Sequence, residues 1–214
     1  MVAAQSIFDK VFAAIPLIAI LRGIQPSEVL SISDALMDAG IKLIEVPLNS
    51  VDAFTSIELL VKHCADDVVV GAGTVLEKAE VNRLRDIGAK LMVTPNVNTA
   101  LIDAGNAAGL VTVTGCMTPS ETLLALRHGA AAIKIFPAGR LGAGYAKDIK
   151  AVLPTGTRLV AVGGVGKDEM ALYQTGGYDG FGFGSGLYVP GRSADQVADI
   201  AKQLCDEWSR LREA

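Results

Sequence analysis

Half of the 214 residues are hydrophobic, and only 20% carry a charge. A chain this apolar can bury enough surface to fold, which excludes intrinsic disorder. Its net charge of −4, without any cluster of Lys and Arg, argues against binding to nucleic acid. The 23 glycines and the 5% of aromatic residues predict an aliphatic core with many tight turns, as in buried parallel strands covered by helices.

Neither the cysteines nor the apolar segments indicate export or membrane insertion. Cys64, Cys116 and Cys205 are odd in number and far apart, which disfavours a disulfide framework or a zinc site and favours a reducing compartment. The longest apolar run, Val11–Leu21, is too short to span a bilayer and lacks the flanks of a signal peptide. The sequence therefore predicts a cytoplasmic protein.

Short β-branched segments alternate along the chain with longer segments of helical periodicity. A short helix is predicted first, at about Ser6–Ala14. Eight strands are then predicted at Leu17–Leu21, Leu43–Val46, Val68–Val70, Leu91–Val93, Val111–Val113, Ala132–Phe136, Leu159–Val162 and Gly180–Phe183.

The spacing of these strands indicates the fold. Successive strand ends are roughly 20 to 30 residues apart, about the length of one strand plus one crossover helix. Helical segments close on a glycine at Gly40, Gly88, Gly109 and Gly129, where the left-handed conformation can end a helix. We expect an α/β protein, a (β/α)8 TIM barrel with a short N-terminal helix, in one domain over residues 1–214. The alternative is an open doubly wound sheet, but no linker marks where such a sheet would end.

Active sites of such barrels lie at the carboxyl ends of the strands, and two charged residues are predicted inside buried strands. Burial lowers the pKa of a lysine such as Lys134 toward the neutral amine, which forms Schiff bases with ketones. A structural lysine is the alternative. Glu45 is either a general acid/base or a structural partner of Lys134. Arg22, after the first strand, is either an anion ligand or a charge on the barrel rim.

Glycine-rich turns follow the last two strands. Gly163-Gly164 and Gly184-Ser185-Gly186 match the phosphate-binding arrangement of many barrels, in which backbone N–H groups bind the anion. Gly71–Thr74 is a further glycine turn that ends in a hydroxyl group. Neither a nucleotide fingerprint nor a cluster of metal ligands is found at the strand ends, so we expect no cofactor and no metal.

Six segments, in order along the chain, resemble the KDPG/KHG aldolase family. They are Leu17–Gly23, Ile44–Ser50, Gly71–Val75, Val93–Asn96, Ile133–Pro137 and Ala161–Val165. The resemblance is closest to the galactonate-type members, because gluconate-type members typically differ at Pro47–Ser50 and Ala161–Gly164. Thr114–Cys116 departs from the family, which more often has Pro-Gly there, and we expect this to adjust the cavity wall.

The resemblance implies class I aldolase chemistry. Lys134 would be the Schiff-base lysine and Glu45 the general acid/base. The implied substrate-binding residues are Arg22 and Thr74 at the pyruvyl end, and Gly164, Gly184 and Ser185 at the phosphate.

The implied reaction is cleavage of 2-dehydro-3-deoxy-6-phosphogalactonate to pyruvate and glyceraldehyde 3-phosphate, in a homotrimer. One alternative keeps this chemistry but acts on the gluconate epimer or on 4-hydroxy-2-oxoglutarate. The other is a non-catalytic barrel that binds a phosphorylated sugar. Lys134 and Glu45, both in buried strands, argue against that second alternative.

Overall fold

Eight parallel strands close into a barrel in the computed structural model, which describes residues 4–213. Each strand pairs with the next one along the chain, and the eighth pairs with the first. The strands are β1 (Leu17–Ile20), β2 (Leu43–Pro47), β3 (Val69–Gly73), β4 (Leu91–Val93), β5 (Val111–Cys116), β6 (Ala132–Ile135), β7 (Leu159–Val162) and β8 (Gly180–Phe183). This confirms the (β/α)8 barrel and excludes the open sheet.

Helices precede β1, connect the successive strands and follow β8. They are α1 (Ala4–Ala14), α2 (Val29–Ala39), α3 (Ala53–His63), α4 (Lys78–Asp86), α5 (Thr99–Ala107), α6 (Pro119–Arg127), α7 (Ala138–Leu141), α8 (Tyr145–Lys150), α9 (Met170–Thr175) and α10 (Ala194–Glu213). A 3-10 turn at Lys167–Glu169 precedes α9. In the part of the chain described here, no helix has the length and apolar character needed to cross a membrane.

Local signals in the sequence set the helix boundaries. The four glycines predicted to end helices all have a positive φ, between 78° and 102°. α6 begins with a capping box, in which Thr118 and Glu121 satisfy each other's backbone N–H groups. Helix ends are therefore set by local hydrogen bonding, which is why the sequence predicts them well.

The barrel interior is aliphatic and is closed at one end by α1. Residues two apart along a strand point to the same side, so alternate positions of each strand fill the barrel. The interior cluster comprises Phe8, Val11 and Phe12 of α1 together with Ile18, Ile20, Leu43, Val69, Leu91, Val93, Val111, Val113, Ala132, Val160 and Val162. Because α1 covers the amino-terminal ends of the strands, an opening for substrate remains at their carboxyl ends.

β3 differs from its predicted position. It was expected at Val68–Val70 but runs through Gly73, and Glu45 and Pro47 on β2 pair with Gly71 and Gly73. Hydrophobic patterning misses such residues because glycine has no side chain, although its backbone pairs like any other. The extension carries β3 up to the functional end of the barrel.

Candidate active site

Lys134 lies within β6, between Gly115 of β5 and Val160 of β7. It shares the inward face of the strand with Ala132, a member of the interior cluster. The residue is only 8% exposed, and its Nζ lies 5.2 Å from the centroid of the Phe136 ring. The amine therefore lies inside the barrel, next to an aromatic ring.

Glu45 lies within β2, between Ile20 of β1 and Gly71 of β3. It is 2% exposed, and within residues 4–213 its Oε2 has no hydrogen-bond partner. A buried carboxyl group without a full set of partners is unfavourable for folding. Its place in the barrel therefore points to a role in chemistry.

The space for this carboxyl group exists because residue 73 is glycine. A Cβ at Gly73 would lie 1.6 Å from Oε2 of Glu45 and 2.3 Å from its carboxyl carbon. Any other residue at this position would have to displace the carboxyl group or the strand. The sequence marks Gly71–Thr74 as a turn, but it does not reveal which side chain the glycine accommodates.

Burial and mutual charge tune the two groups. Burial raises the pKa of Glu45 to about 7, although the charges of Lys134 and Arg22 partly oppose that rise. Burial also lowers the pKa of Lys134, against the opposing effect of the Glu45 charge and with a smaller contribution from Arg22 in the same direction as burial. Near neutral pH the carboxyl group can therefore both give and take a proton, and the amine is closer to its nucleophilic form.

Arg22 follows β1 and reaches the loop after β2. Its Nη1 donates a hydrogen bond to Oδ1 of Asn49 at 2.5 Å. The N–H of Gly23 donates to Oγ of Ser50 at 2.9 Å. These bonds hold the two loops together and orient the guanidinium group, which keeps further donors for an anion.

A cavity of about 890 Å³ opens at the carboxyl ends of β1, β6, β7 and β8. Arg22, Gly164, Gly184 and Ser185 line it, as does Phe136, whose ring contacts the Lys134 amine. Four of the predicted substrate-binding residues thus lie around one cavity. A second cavity, of about 580 Å³, lies beside α1 and is lined by none of the predicted site residues.

The turns after β7 and β8 line this cavity with residues whose backbone N–H groups have no acceptor within residues 4–213. Gly163 and Gly164 have φ values of 87° and 75°, a left-handed pair that glycine adopts without strain. Within residues 4–213, no acceptor is found for the N–H groups of Gly164, Val165, Ser185 and Gly186. Neighbouring N–H groups that lack acceptors on a concave wall form a binding site for an anion.

One predicted residue lies outside the cavity lining, and three residues that were not predicted belong to it. Thr74 follows β3 with a φ of 56°, does not line the 890 Å³ cavity, and its role at the pyruvyl end stays a prediction. Phe136 was not predicted as a site residue, although the predicted strand Ala132–Phe136 places it two residues from Lys134 and therefore on the same face. Tyr188 and Pro190 also line the cavity, but no local pattern predicts where their loop lies.

Together these residues supply a nucleophile, a proton donor and acceptor, a cation and an anion-binding wall. A neutral amine that attacks a ketone can form an iminium, which accepts electrons when a neighbouring carbon–carbon bond breaks. Within the described part of the chain, no group of three His, Cys, Asp or Glu side chains is placed to hold a metal ion. The site is therefore suited to aldol chemistry carried out by side chains.

Comparison with known proteins agrees with this chemistry. The family model for KDPG and KHG aldolase matches residues 8–191. A Rhizobium meliloti (strain 1021) protein, named "Probable 2-dehydro-3-deoxy-6-phosphogalactonate aldolase", is 48% identical over 186 residues, which are 87% of this chain and 88% of that protein.

Solved structures agree in fold and sequence. A native KDPGal structure is 40% identical and superimposes with a TM-score of 0.92 over 94% of this chain and 97% of that one. A Legionella pneumophila KDPG aldolase, with pyruvate captured as a covalent carbinolamine intermediate, is 27% identical with a TM-score of 0.77, over 91% of this chain and 94% of that one. The chain belongs to the KDPG and KHG aldolase family and is therefore a carbon–carbon lyase.

Proposed function

We propose that the enzyme cleaves 2-dehydro-3-deoxy-6-phospho-D-galactonate to pyruvate and D-glyceraldehyde 3-phosphate, with Lys134 as the Schiff-base residue. The observation that carries this proposal is the buried Lys134 amine in the same barrel interior as the Glu45 carboxyl group, whose Oε2 has no protein partner within residues 4–213. The galactonate substrate follows from the 48% identical relative and its name. A covalent intermediate is supported by the carbinolamine in the Legionella pneumophila enzyme.

The first stage forms the electron sink. The neutral Lys134 amine attacks the C2 ketone and gives a carbinolamine. Glu45, with a pKa of about 7, donates a proton to the carbinolamine hydroxyl, and water leaves. The product is an iminium between Nζ and C2.

The second stage breaks the C3–C4 bond. Glu45, now ionised, takes the proton of the C4 hydroxyl through a water molecule. The electrons of that O–H bond form the aldehyde, and the electrons of the C3–C4 bond move to C3 and the iminium nitrogen as an enamine. Glyceraldehyde 3-phosphate leaves, C3 takes up a proton, and hydrolysis of the resulting iminium releases pyruvate and the free amine.

Substrate binding would use Arg22 for one end of the substrate and the glycine turns for the other. Arg22, held by Asn49, would bind the carboxylate of the pyruvyl end together with Thr74, which lies outside the lining of the cavity. Gly164, Gly184 and Ser185 would hold the phosphate, where N–H groups lack acceptors within residues 4–213. The wall has to face about two negative charges, and backbone N–H groups bind a phosphate without a competing side-chain charge.

We further propose a single domain over residues 1–214 and assembly as a homotrimer, as the family resemblance implies. The cytoplasmic location expected from the sequence stays a prediction. Trimer formation would cover apolar side chains that remain exposed on loops after β2, β3 and β5, at Val51, Leu76 and Met117.

Reductive trapping tests the covalent proposal. Incubation with pyruvate and sodium borohydride should add one reduced pyruvyl group, and peptide mass spectrometry should place it on Lys134. Lys134→Ala should abolish both the adduct and the cleavage activity. Lys90→Ala is the matched control, because Lys90 donates to carbonyl groups of Asp66 and Val68 and lines the other cavity. An adduct on another lysine, or none, would refute the proposal.

A substrate comparison on the same enzyme tests the galactonate assignment. We expect a higher kcat/KM for 2-dehydro-3-deoxy-6-phosphogalactonate than for its C4 epimer or for 4-hydroxy-2-oxoglutarate. A preference for the epimer would move the activity to the gluconate type while keeping the mechanism. Thermal stabilisation by phosphorylated ligands without any turnover would instead indicate a binding protein.

A further inference from the structure

The chain after β8 forms a tight turn at the cavity wall. The N–H groups of Leu187 and Tyr188 both donate to the carbonyl oxygen of Gly184, at 2.8 and 2.9 Å. Ser185 and Gly186 lie at the outside of this turn and line the cavity. Their own N–H groups have no acceptor within residues 4–213.

Arg192 returns to this turn from a few residues further along the chain. Its Nη1 donates to the carbonyl oxygen of Leu187 at 2.7 Å and makes longer contacts, at 3.4 Å, with the carbonyl oxygens of Ser185 and Gly186. It is half-buried, does not line the cavity, and within residues 4–213 no carboxylate pairs with it. All the hydrogen bonds found for its guanidinium group therefore go to this one turn.

The local sequence explains why Arg192 folds back. The N–H of Arg192 donates to the carbonyl oxygen of Val189 at 3.0 Å, and Gly191 has a φ of 84°. Pro190 and Gly191 are the residues that a type II turn requires at its two central positions. This turn reverses the chain and directs the side chain of Arg192 to the carbonyl oxygens.

The planarity of the peptide bond links those carbonyl groups to the cavity. The carbonyl oxygen of Ser185 and the N–H of Gly186 belong to one planar peptide and point in opposite directions. A guanidinium group on the carbonyl side therefore fixes the direction of the N–H group and polarises it as a donor. The carbonyl groups of Gly186 and Leu187 are held in the same way, which fixes the rest of the turn.

We infer that Arg192 is a positioning residue for the phosphate: by holding the carbonyl groups of Ser185–Leu187 it fixes the turn, so that the free N–H groups of Ser185 and Gly186 face the anion. This inference rests on the proposed function, in which that wall binds the substrate phosphate. It predicts that Arg192 serves the phosphorylated part of the substrate and not the reacting carbons.

The test compares a phosphorylated and an unphosphorylated substrate in two variants. Arg192→Gln should raise KM about tenfold for 2-dehydro-3-deoxy-6-phosphogalactonate, with kcat changed less than twofold, because a charged donor is lost from the turn. For 2-dehydro-3-deoxygalactonate, which has no phosphate, kcat/KM should not change. Arg192→Lys should recover only part of the loss, because one ammonium group cannot span carbonyl groups as the planar guanidinium does.

Arg212→Gln is the matched control. Arg212 also donates through Nη1 to two carbonyl oxygens, those of Ala13 and Ala14, but it does so between α10 and the end of α1. This variant should leave the KM of both substrates unchanged. Borohydride trapping of pyruvate on Lys134 should proceed in Arg192→Gln as in the wild type.

Four results would overturn the inference about Arg192. They are an unchanged KM in Arg192→Gln, an equal loss on both substrates, full activity in Arg192→Lys, and a wild-type enzyme that does not distinguish the two substrates. A wild-type enzyme without any pyruvate adduct would instead refute the proposed Schiff-base mechanism. The two failures are therefore distinguishable.

Discussion

Glu45 is buried in a place that disfavours its ionised form. The carboxyl group is surrounded by the barrel interior, and Gly73 gives it space without giving it a side-chain partner. Lys134 and Arg22 offset only part of the unfavourable burial, so its pKa rises to about 7. A catalytic acid/base needs a pKa near the working pH, and here the same burial that produces this pKa lowers the stability of the folded chain.

This coupling predicts a pH-dependent difference in stability. The ordinary pKa of a glutamate, 4.5, applies to Glu45 in the unfolded chain, and its pKa in the folded chain is about 7. Folding therefore takes up a proton when the pH lies between these two values. The wild type should therefore lose stability as pH rises through this window. Glu45→Gln removes the titration, so its free energy of unfolding relative to wild type should increase from pH 4.5 to pH 8, by roughly 3 kcal/mol.

Urea unfolding of both proteins at the two pH values measures this difference, and Glu58→Gln is the control. Glu58 is exposed, and its pKa is lowered by the hydrogen bond from Lys62. Its contribution to stability is lost as pH falls, so the control should change in the opposite direction and by much less. A difference between Glu45→Gln and wild type that stays constant with pH would contradict the raised pKa of Glu45 in the folded chain.

The sequence predicts some site residues and misses others for a physical reason. Lys134 and Glu45 can be predicted because a charge inside an apolar strand is locally unusual. The roles of Gly73 and Arg192 depend on contacts that form only in the folded chain, with Glu45 in the first case and with the turn after β8 in the second. A single sequence contains no pattern that marks either contact.

Among the elements, the loop after β8 is attached to the loop after β1. The hydroxyl of Tyr188 donates to Oε1 of Glu28 at 2.5 Å, and the same oxygen accepts the N–H of Gln25. A Cβ on Gly23 would lie 2.9 Å from Cγ of Pro190, so the two loops are in close contact. The phosphate wall and the Arg22 segment are thereby held in one arrangement.

Tyr188→Phe should therefore lower the free energy of unfolding by about 1–2 kcal/mol, because a hydrogen bond to a carboxylate is lost. It should also raise KM for the phosphorylated substrate a few-fold, with little change in kcat. Denaturant unfolding and steady-state kinetics measure the two effects.

Tyr178→Phe is the matched control for the hydroxyl group. The hydroxyl of Tyr178 is buried and has no partner within residues 4–213, so its removal should leave stability unchanged or increased. If both variants lost stability equally, the bond between Tyr188 and Glu28 would not explain the effect.

Element boundaries set by neighbouring residues are predicted from the sequence, and boundaries set by contacts between distant segments are missed. The helix ends at Gly40, Gly88, Gly109 and Gly129 are predicted correctly because a glycine and a few backbone hydrogen bonds decide them. The extension of β3 through Gly73 is missed because pairing with β2 decides it. The barrel itself is predicted because its repeat recurs eight times, so errors of a few residues in one strand do not alter the count.

In the molecule as a whole, the two ends of the barrel differ: one end is packed with apolar side chains, and the other carries the candidate active site. α1 places Phe8, Val11 and Phe12 at one end of the interior, where the strands contribute aliphatic side chains. At the other end, the charged groups Glu45 and Lys134 and the glycine turns replace that packing. The fold can bear the unfavourable burial of Glu45 because apolar side chains at the other end of the interior stabilise the barrel.

We expect the apolar side chains exposed on loops at the carboxyl ends of the strands to form contacts between chains. Leu76 follows β3 and is 47% exposed, and Val51 and Met117 are exposed on nearby loops. If these side chains form the contact of the proposed homotrimer, light scattering should give three times the mass of one chain. Leu76→Asp should reduce that mass toward one chain, because trimer formation would bury an unpaired charge.

Leu172→Asp is the control, because Leu172 is 63% exposed but lies in α9, between β7 and β8. It should remain trimeric, and both variants should keep the circular dichroism spectrum of the barrel. A monomeric wild type would refute the trimer. Dissociation by Leu172→Asp but not by Leu76→Asp would keep the trimer and move its contact to the α9 side. An aspartate weakens the association of the chains only where the contact buries it.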